Sequence, residues 1–405
     1  MDAAKRILLV SHEMSVTGAP NSLLRQARYF RAAGYAVDVW FSCAGALEAR
    51  YREEGFEPVF VEDDRTAIRA AWERRSGEYA LVICNTTRTY RAVDVLWHLG
   101  AKVAWFIRET KLLDEDYWKD RAFARLFAAF PNLYTVSPYA AAIVRRYNPH
   151  VRVIYNSVAD AWKAAAAPAG CVRFGFIGSL IPVKGVDLLV TAFTRLHGRF
   201  PGCELRIAGN LSIGLGEELR RKTADNPSVK WLGELQGAEK RAFFDAVDVL
   251  CVPSLDEPSG LTVIEGTMYG KAILTTDCTG ANYLVDEACG RVVPAGDADA
   301  LERAMAEFAA MDAGRLRAFG ARARERYLED GSQERERTAV LGMVEEARSL
   351  PAAPGRLRLK EDRWFHVTRY LDGRRRLYFW GMRLLTWRGR TFEEDLRARK
   401  EGGAK

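Results

Sequence analysis

Two series of short apolar segments, each alternating with amphipathic segments, constrain this chain more than any other feature of its sequence. The first series reads RILLVS, AVDVWFS, ALVICN, KVAWFIRE, LYTVS and VRVIYN, and the second reads CVRFGFIGS, CELRIAGN, VKWLGE, VDVLCVPS, KAILTTD and GRVVPAG. Such alternation is typical of parallel strands joined by crossover helices. The sequence therefore predicts two α/β domains, each built on a doubly wound parallel sheet.

The domain boundaries follow from where the alternation stops. The segment WKAAAAPAG, residues 162–170, interrupts it and is interpreted as a linker. We predict a first Rossmann-like domain over 1–165 and a second over 171–335. A helix over 336–355 is expected to return to the first domain. Residues 356–405 form a basic extension rich in aromatic residues.

Composition excludes several classes of protein. No stretch of the 405 residues reaches the length and apolarity of a membrane span, and the apolar run near the N-terminus is too short for a secretory signal. The seven cysteines are scattered without a CxxC pair, which predicts reduced thiols and neither a disulfide framework nor a zinc site. We expect a cytoplasmic protein.

The basic character of the chain lies at its C-terminal end. Residues 356–400 contain fourteen Lys or Arg and six Asp or Glu, a net charge of +8, whereas the whole chain carries +7. Arginines interspersed with tryptophan, tyrosine and phenylalanine suit an anionic membrane surface, which places the protein at the inner face of the cytoplasmic membrane. The alternative is that these aromatic residues pack on the first domain or on another subunit. No nucleic-acid partner is expected.

Parallel sheets bind ligands beyond the carboxyl ends of their strands, so functional residues are expected there. If the two domains face one cleft, their strand ends line it. These ends are Ser11, Asn85, Arg108, Ser137 and Asn156 in the first domain and Gly178, Gly209, Gly233, Ser254 and Asp277 in the second.

The segment DEPSGLTVIE, residues 256–265, is the strongest local signal. It follows an apolar strand and enters a predicted helix that Gly270 closes. Backbone N–H groups of Ser259, Gly260 and Leu261 at the helix start favour a phosphate group. Glu257 on the loop and Glu265 in the helix are then placed to bind sugar hydroxyls at the two ends of a diphosphate.

The loop GSLIPVKG after the first strand of the second domain adds a cation. Lys184 is placed to neutralise a phosphate leaving group, and Ser179 offers a hydroxyl. Considered alone, this Lys-Gly pair is more typical of a solvated turn than of a binding site. Its proximity to the carboxylate segment favours the binding role.

Five segments carry a family resemblance in the right order and spacing: FGFIGSLIPVKGVDLLVTAF, LRIAGN, VKWLGEL, VDVLCVPSLDEPSGLTVIEGTMYGKAILTTD and GRVVPAGDADAL. Over roughly 173–305 the chain resembles the nucleotide-sugar domain of retaining glycosyltransferases of family 4, which have the GT-B fold. The first half resembles the same family more weakly, through SHEMSVTGAPNSLLRQARYF, VICNTT, WFIRET and VSPYAAAIVRRYNPHVRVIYNSV.

The resemblance implies a nucleoside diphosphate sugar as donor and a glycan or lipid-linked oligosaccharide as acceptor. Glu257 then contacts the donor sugar, Glu265 the ribose and Lys184 the phosphates, while the Gly18-Ala19 loop closes on the donor. The remaining donor-side positions are Gly178, Ser179, Gly209, Gly233, Leu235, Ser259, Gly260 and Leu261. No cofactor and no metal are implied, and the reaction retains the anomeric configuration.

The chain departs from the family pattern at two positions. Ser179 stands where the family usually has arginine, and Arg108 stands where related sequences often have histidine. Arg108 is expected either to supply the missing charge across the cleft or to bind an anionic sugar or acceptor.

Three acceptor-side residues keep alternative interpretations. His12 is a candidate acceptor contact or a structural histidine, and Asn85 a cleft residue or a helix cap. Glu109 is a candidate acceptor base or the ion-pair partner of Arg108.

The function expected from this pattern is a retaining, metal-independent glycosyltransferase of cell-surface polysaccharide or lipopolysaccharide synthesis. A nucleotide-sugar epimerase or hydrolase on the same fold, and a non-catalytic nucleotide-sugar-binding scaffold, are the alternatives. A dehydrogenase is disfavoured because SHEMSVTGAP follows the first strand where GxGxxG is required.

Overall fold

The computed structural model describes residues 6–75, 79–111, 113, 120–162 and 171–350. The predicted linker, apart from its first residue Trp162, and the predicted extension over 356–405 lie outside the described residues. Two parallel sheets organise the described part of the chain, as the apolar alternation predicts.

The first sheet has seven strands in the order β3-β2-β1-β4-β5-β6-β7, and every neighbouring pair is parallel. The strands are β1 (Arg6–Ser11), β2 (Ala36–Phe41), β3 (Pro58–Phe60), β4 (Leu81–Asn85), β5 (Val103–Ile107), β6 (Leu133–Thr135) and β7 (Val151–Val153). The helices between them are α1 (Gly18–Ala32), α2 (Glu48–Glu53), α3 (Arg65–Glu73), α4 (Tyr90–His98), α5 (Arg121–Ala129) and α6 (Pro138–Val144).

The second sheet has six parallel strands in the order β10-β9-β8-β11-β12-β13. They are β8 (Arg173–Ile177), β9 (Glu204–Ala208), β10 (Val229–Gly233), β11 (Val249–Val252), β12 (Ala272–Thr276) and β13 (Gly290–Val293). Its helices are α7 (Val186–His197), α8 (Gly216–Lys222), α9 (Gly237–Asp245), α10 (Leu261–Met268), α11 (Ala298–Ala309) and α12 (Ala313–Arg326).

Burial of both sheet faces explains why the strands read as continuous apolar runs. In β1, Ile7 and Leu9 belong to one buried cluster, whereas Leu8 and Val10 belong to another on the opposite face. Side chains alternate across a strand, so a strand covered by helices on both faces needs apolar residues at every position.

The last described helix, α13 (Gln333–Arg348), packs on the first domain although it follows the second in sequence. Val340, Met343, Val344 and Ala347 share a buried cluster with the apolar face of α1. Its Glu336 carboxylate is buried and accepts hydrogen bonds from Arg25, at 2.7 and 3.0 Å. The chain therefore crosses between the two sheets twice.

Candidate active site

A cavity of about 360 Å³ lies between the carboxyl ends of the two sheets, where the sequence predicts the functional site. Its lining comes from both domains. The residues are Gly18, Ala19, Arg108, Val136, Asn156, Phe176, Ile177, Gly178, Ser179, Lys184, Cys251, Val252, Ser254, Glu257, Pro258, Ser259, Leu261 and Thr262.

Glu257 and Lys184 form an ion pair on the second-domain side of the cavity. A carboxylate oxygen of Glu257 also accepts a hydrogen bond from the Gly260 N–H group at 3.3 Å. Lys184 reaches this position because it ends a short 3₁₀ turn, Pro182–Lys184, that Gly185 terminates in the left-handed conformation with φ of +66°. The two charged residues that the sequence predicts on separate loops thus meet in the structure.

The start of α10 presents its backbone to the same cavity. Gly260 precedes the helix with φ of +73°, and a Cβ atom there would lie 2.9 Å from the Ala281 nitrogen, so the position requires glycine. Ser259 and Leu261 line the cavity on either side of it. Unpaired N–H groups at a helix start attract anionic ligands.

The Gly18-Ala19 loop faces this helix start from the first domain. A Cβ atom at Gly18 would lie 3.9 Å from the Leu261 side chain. The Ala19 carbonyl accepts a hydrogen bond of 3.1 Å from the buried Asn85 side chain, which fixes the loop to the end of β4. Asn85 therefore positions the loop and does not itself line the cavity.

Arg108, directly after β5, lines the cavity floor. Its Nε donates to the side-chain oxygen of Asn85, and its Nη1 donates to the side-chain oxygen of Asn156 at 3.2 Å. Asn156 in turn donates to the Ser259 hydroxyl at 2.7 Å. Burial, followed by repulsion from Arg25, lowers the pKa of Arg108 to about 10, so the guanidinium stays charged near neutral pH.

Glu109 does not pair with the guanidinium of Arg108, so that alternative is wrong. Its carboxylate accepts hydrogen bonds from the backbone N–H groups of Thr87, at 3.1 and 3.2 Å, and of Arg108, at 2.9 Å. Burial raises its pKa, against the lowering effect of these N–H groups. Glu109 is outside the cavity lining, and its role as an acceptor base stays a prediction.

His12 lies beside a strained turn at the end of β4. Its Nδ1 is 3.0 Å from the Thr86 hydroxyl, and burial lowers its pKa despite the nearby Glu13. Thr86 has φ of +78° and is the one non-glycine residue with positive φ in the described part of the chain. Such backbone costs about 1–3 kcal/mol and persists where the surroundings enforce it. His12 is likewise outside the cavity lining.

Five predicted donor-side residues also lie outside this lining: Glu265, Gly209, Gly233, Leu235 and Gly260. The Glu265 carboxylate forms an ion pair of 2.6 Å with Lys240 of α9. Lys240 was not predicted from the sequence. Gly209 packs against the loop that follows β8, since a Cβ atom there would lie 2.3 Å from the Gly178 carbonyl oxygen.

A second set of contacts, which the sequence did not predict, joins the loop 256–259 to the first domain. The Asp256 carboxylate accepts hydrogen bonds from the Thr110 hydroxyl, at 2.7 and 2.8 Å, and from the Tyr139 hydroxyl at 2.7 Å. The Ser137 hydroxyl donates to the Pro258 carbonyl at 2.6 Å. No local pattern identifies these partners, although Ser137 and Asn156 stand at predicted strand ends.

The described residues contain no group of three or more His, Cys, Asp or Glu side chains placed to hold a metal ion. None of the helices formed by these residues has the length and apolarity needed to cross a membrane.

Comparison with known proteins identifies relatives on both sides of the cavity. Residues 3–129 match the model of "Glycosyl-transferase family 4", and residues 171–311 match that of "Glycosyl transferases group 1". Together the two matches cover well over half of the chain.

Curated relatives match over shorter stretches. A phosphatidyl-myo-inositol mannosyltransferase of Mycolicibacterium smegmatis is 34% identical over 127 residues, 31% of this chain and 32% of the relative. A D-inositol 3-phosphate glycosyltransferase of Saccharomonospora viridis is 32% identical over 196 residues, 44% of this chain and 43% of the relative. The chain thus spans less than half the length of either relative.

Solved structures share the fold at low sequence identity. A glycosyltransferase from Rickettsia africae superposes with a TM-score of 0.73 at 14% identity, covering 86% of this chain and 100% of that one. Anabaena HepE, solved in complex with UDP, gives a TM-score of 0.73 at 15% identity, covering 84% and 100%. With two family matches flanking one cleft and this shared architecture, the chain belongs to the family 4 glycosyltransferases with the GT-B fold.

Proposed function

We propose that this protein transfers a sugar from a nucleoside diphosphate sugar to a glycan or lipid-linked glycan acceptor in cell-surface polysaccharide synthesis. Transfer proceeds with retention of anomeric configuration and without a metal ion. The observation that carries the proposal is the meeting of the Glu257–Lys184 pair with the N–H groups at the start of α10 in one cavity.

Each group in the cavity suits one part of the donor. The N–H groups around Ser259 to Leu261 bind the diphosphate, and Lys184 neutralises the phosphate that leaves. Glu257 accepts from hydroxyls of the transferred sugar. Glu265, paired with Lys240, accepts from the ribose hydroxyls beyond the cavity.

The reaction breaks the bond between the anomeric carbon and the phosphate oxygen, and the electron pair stays with the phosphate. The acceptor hydroxyl attacks from the face that the phosphate leaves and gives its proton to the departing phosphate oxygen, so the configuration is retained. Lys184 and the α10 N–H groups stabilise the charge that develops on the phosphate. The Gly18-Ala19 loop closes on the donor from the first domain, and His12 lies on the acceptor side.

The relatives support both substrates. HepE has been solved with UDP and with UDP-glucose, which supports a nucleoside diphosphate sugar donor. The curated relatives are named for phosphatidyl-myo-inositol and for D-inositol 3-phosphate, and the first of these names supports a lipid-linked acceptor.

A panel of UDP, GDP, dTDP and CMP sugars tests the donor site by thermal unfolding. A ligand at about 100 times its Kd should stabilise the native state by about 2.7 kcal/mol. Glu257→Ala and Glu265→Ala should reduce that protection. Glu217→Ala, which removes an exposed ion pair with Arg220, should not.

The same panel separates the alternatives. A glycosyltransferase consumes donor only when acceptor is present, whereas a hydrolase or epimerase converts donor alone and a scaffold binds it without turnover. If no donor protects the wild type, or if both glutamate variants respond as it does, the site assignment is wrong.

We also propose that residues 356–405 bind an anionic membrane surface. The support is their composition, fourteen Lys or Arg among residues 356–400 with interspersed aromatic residues. Sedimentation with vesicles containing anionic lipid should recover the full chain and not a chain ending at residue 355. Equal recovery of the two chains contradicts the proposal.

A further inference from the structure

Three charged residues stand among the described residues that line the cavity: Arg108, Lys184 and Glu257. Lys184 and Glu257 are paired with each other. Arg108 therefore supplies the net positive charge of this lining.

The guanidinium of Arg108 has no counter-ion among the described residues. Its Nε and Nη1 donate to the neutral side-chain oxygens of Asn85 and Asn156. Its Nη2 is buried and has no hydrogen-bond acceptor within the described part of the chain. A buried cation with an unused donor is costly unless an anion is supplied.

The neighbouring carboxylates are already engaged. Glu336 holds Arg25 through two hydrogen bonds, and Glu109 accepts from backbone N–H groups. After burial, the largest influence on the pKa of Arg108 is repulsion from Arg25, which exceeds the attraction of either Glu336 or Glu109. The anion that completes the site must therefore come from a ligand.

The position of Arg108 indicates which part of the ligand this is. Asn156 bridges it to Ser259 through hydrogen bonds of 3.2 and 2.7 Å, so the guanidinium lies one side chain away from the start of α10. On the opposite loop Ser179 is exposed and uncharged, and Lys184 is already paired. Among the described residues, Arg108 is thus a cavity-lining cation without an ion-pair partner that is linked by a hydrogen-bond bridge to the N–H groups assigned to phosphate.

We propose that Arg108, from the first domain, binds the diphosphate of the donor and supplies the charge that position 179 lacks. This inference rests on the proposed function. It adds a charged group of the first domain to the donor site, so a nucleoside diphosphate bridges the two domains by a guanidinium on one side and helix N–H groups on the other.

The test compares a nucleoside diphosphate with its nucleoside, using whichever of UDP, GDP and dTDP binds the wild type most tightly in isothermal titration calorimetry. Arg108→Gln should weaken diphosphate binding roughly 10- to 100-fold and leave nucleoside binding unchanged. Arg108→Lys keeps the charge and should lose less. Adding Ser179→Arg to Arg108→Gln places a cation on the opposite wall and should restore most of the lost affinity.

Nucleoside binding is the control for misfolding. A collapsed site weakens the binding of both ligands, whereas loss of a phosphate contact weakens the binding of the diphosphate alone. Equal diphosphate affinity of Arg108→Gln and wild type overturns the inference and leaves the proposed function standing. Failure of Ser179→Arg to restore any affinity also overturns it. If no nucleoside diphosphate binds the wild type, the proposed function falls and the inference falls with it.

Discussion

Replacing Glu336 by Gln should destabilise the first domain and its last helix by about 3–5 kcal/mol, the cost of leaving one partner of a buried ion pair unpaired. Glu336 and Arg25 are 1% and 12% exposed, and their side chains meet through two hydrogen bonds. The hydroxyls of Tyr29 and Ser157 donate to the same carboxylate. Removing its charge therefore leaves a buried guanidinium and weakens two further bonds.

The magnitude converts to a measurable shift. For a domain of about 150–250 residues, each kcal/mol moves the midpoint of unfolding by about 2–4 °C, so the variant should unfold about 6–20 °C earlier in calorimetry. Glu334→Gln is the matched control on the same helix. Its carboxylate pairs with Arg337 three residues on and is 69% exposed, so its loss should cost less than about 1 kcal/mol.

A double variant checks the cause. The protein that carries both Arg25→Met and Glu336→Met has no unpaired buried charge at this site. It should be more stable than the protein with Arg25→Met alone or with Glu336→Met alone. The reasoning is refuted if Glu336→Gln unfolds at the temperature of the Glu334→Gln control. It is also refuted if the two single losses simply add in the double variant.

Three other outcomes are expected. Asp256→Asn removes the charge shared by two first-domain hydroxyls and should weaken nucleoside diphosphate binding about tenfold in calorimetry; an unchanged Kd contradicts this. Gly185→Ala should cost more than about 1 kcal/mol in urea unfolding, because the residue has φ of +66° and a Cβ atom there would lie 2.1 Å from a carbonyl oxygen. Gly342→Ala is the control: this residue lies on a helix with open space around it, so the substitution should stabilise the protein. Burial lowers the pKa of His12 from 6.5, so the contribution of neutral His12 to stability is complete above about pH 6.5 and is lost as pH falls. His12→Gln should therefore lose less stability than the wild type between about pH 7 and pH 5. Parallel plots of stability against pH for the two proteins contradict this expectation.

The sheets were predictable because burial on both faces imposes an apolar residue at nearly every strand position. Of the thirteen strands found in the described residues, twelve fall within predicted segments. The missed strand, β3 (Pro58–Phe60), has three residues, and Val59 and Phe60 are largely exposed. An edge strand this short has too few buried positions to produce a periodic signal.

The donor loops were predictable for a different reason. Glycines with positive φ, a helix start and charged residues lie within a few positions of one another, so the loops 178–185 and 256–261 are recognisable locally. The pairing of Lys184 with Glu257, 73 residues apart, follows once both loops are assigned to one sheet edge. Asp256 and Thr110 are 146 residues apart in different domains, and their contact depends on how the domains dock.

The loop 256–261 therefore has two tasks that are interspersed along its sequence. Asp256, the Pro258 carbonyl and Ser259 bond to the first domain, and Glu257, Pro258, Ser259 and Leu261 line the cavity. Because the same short loop makes both sets of contacts, its cavity-lining groups cannot move far without breaking its contacts with the other domain. Docking of the two domains and shaping of the donor site are accordingly one event. Breaking the Asp256 contact, with every cavity-lining side chain retained, should then impair donor binding.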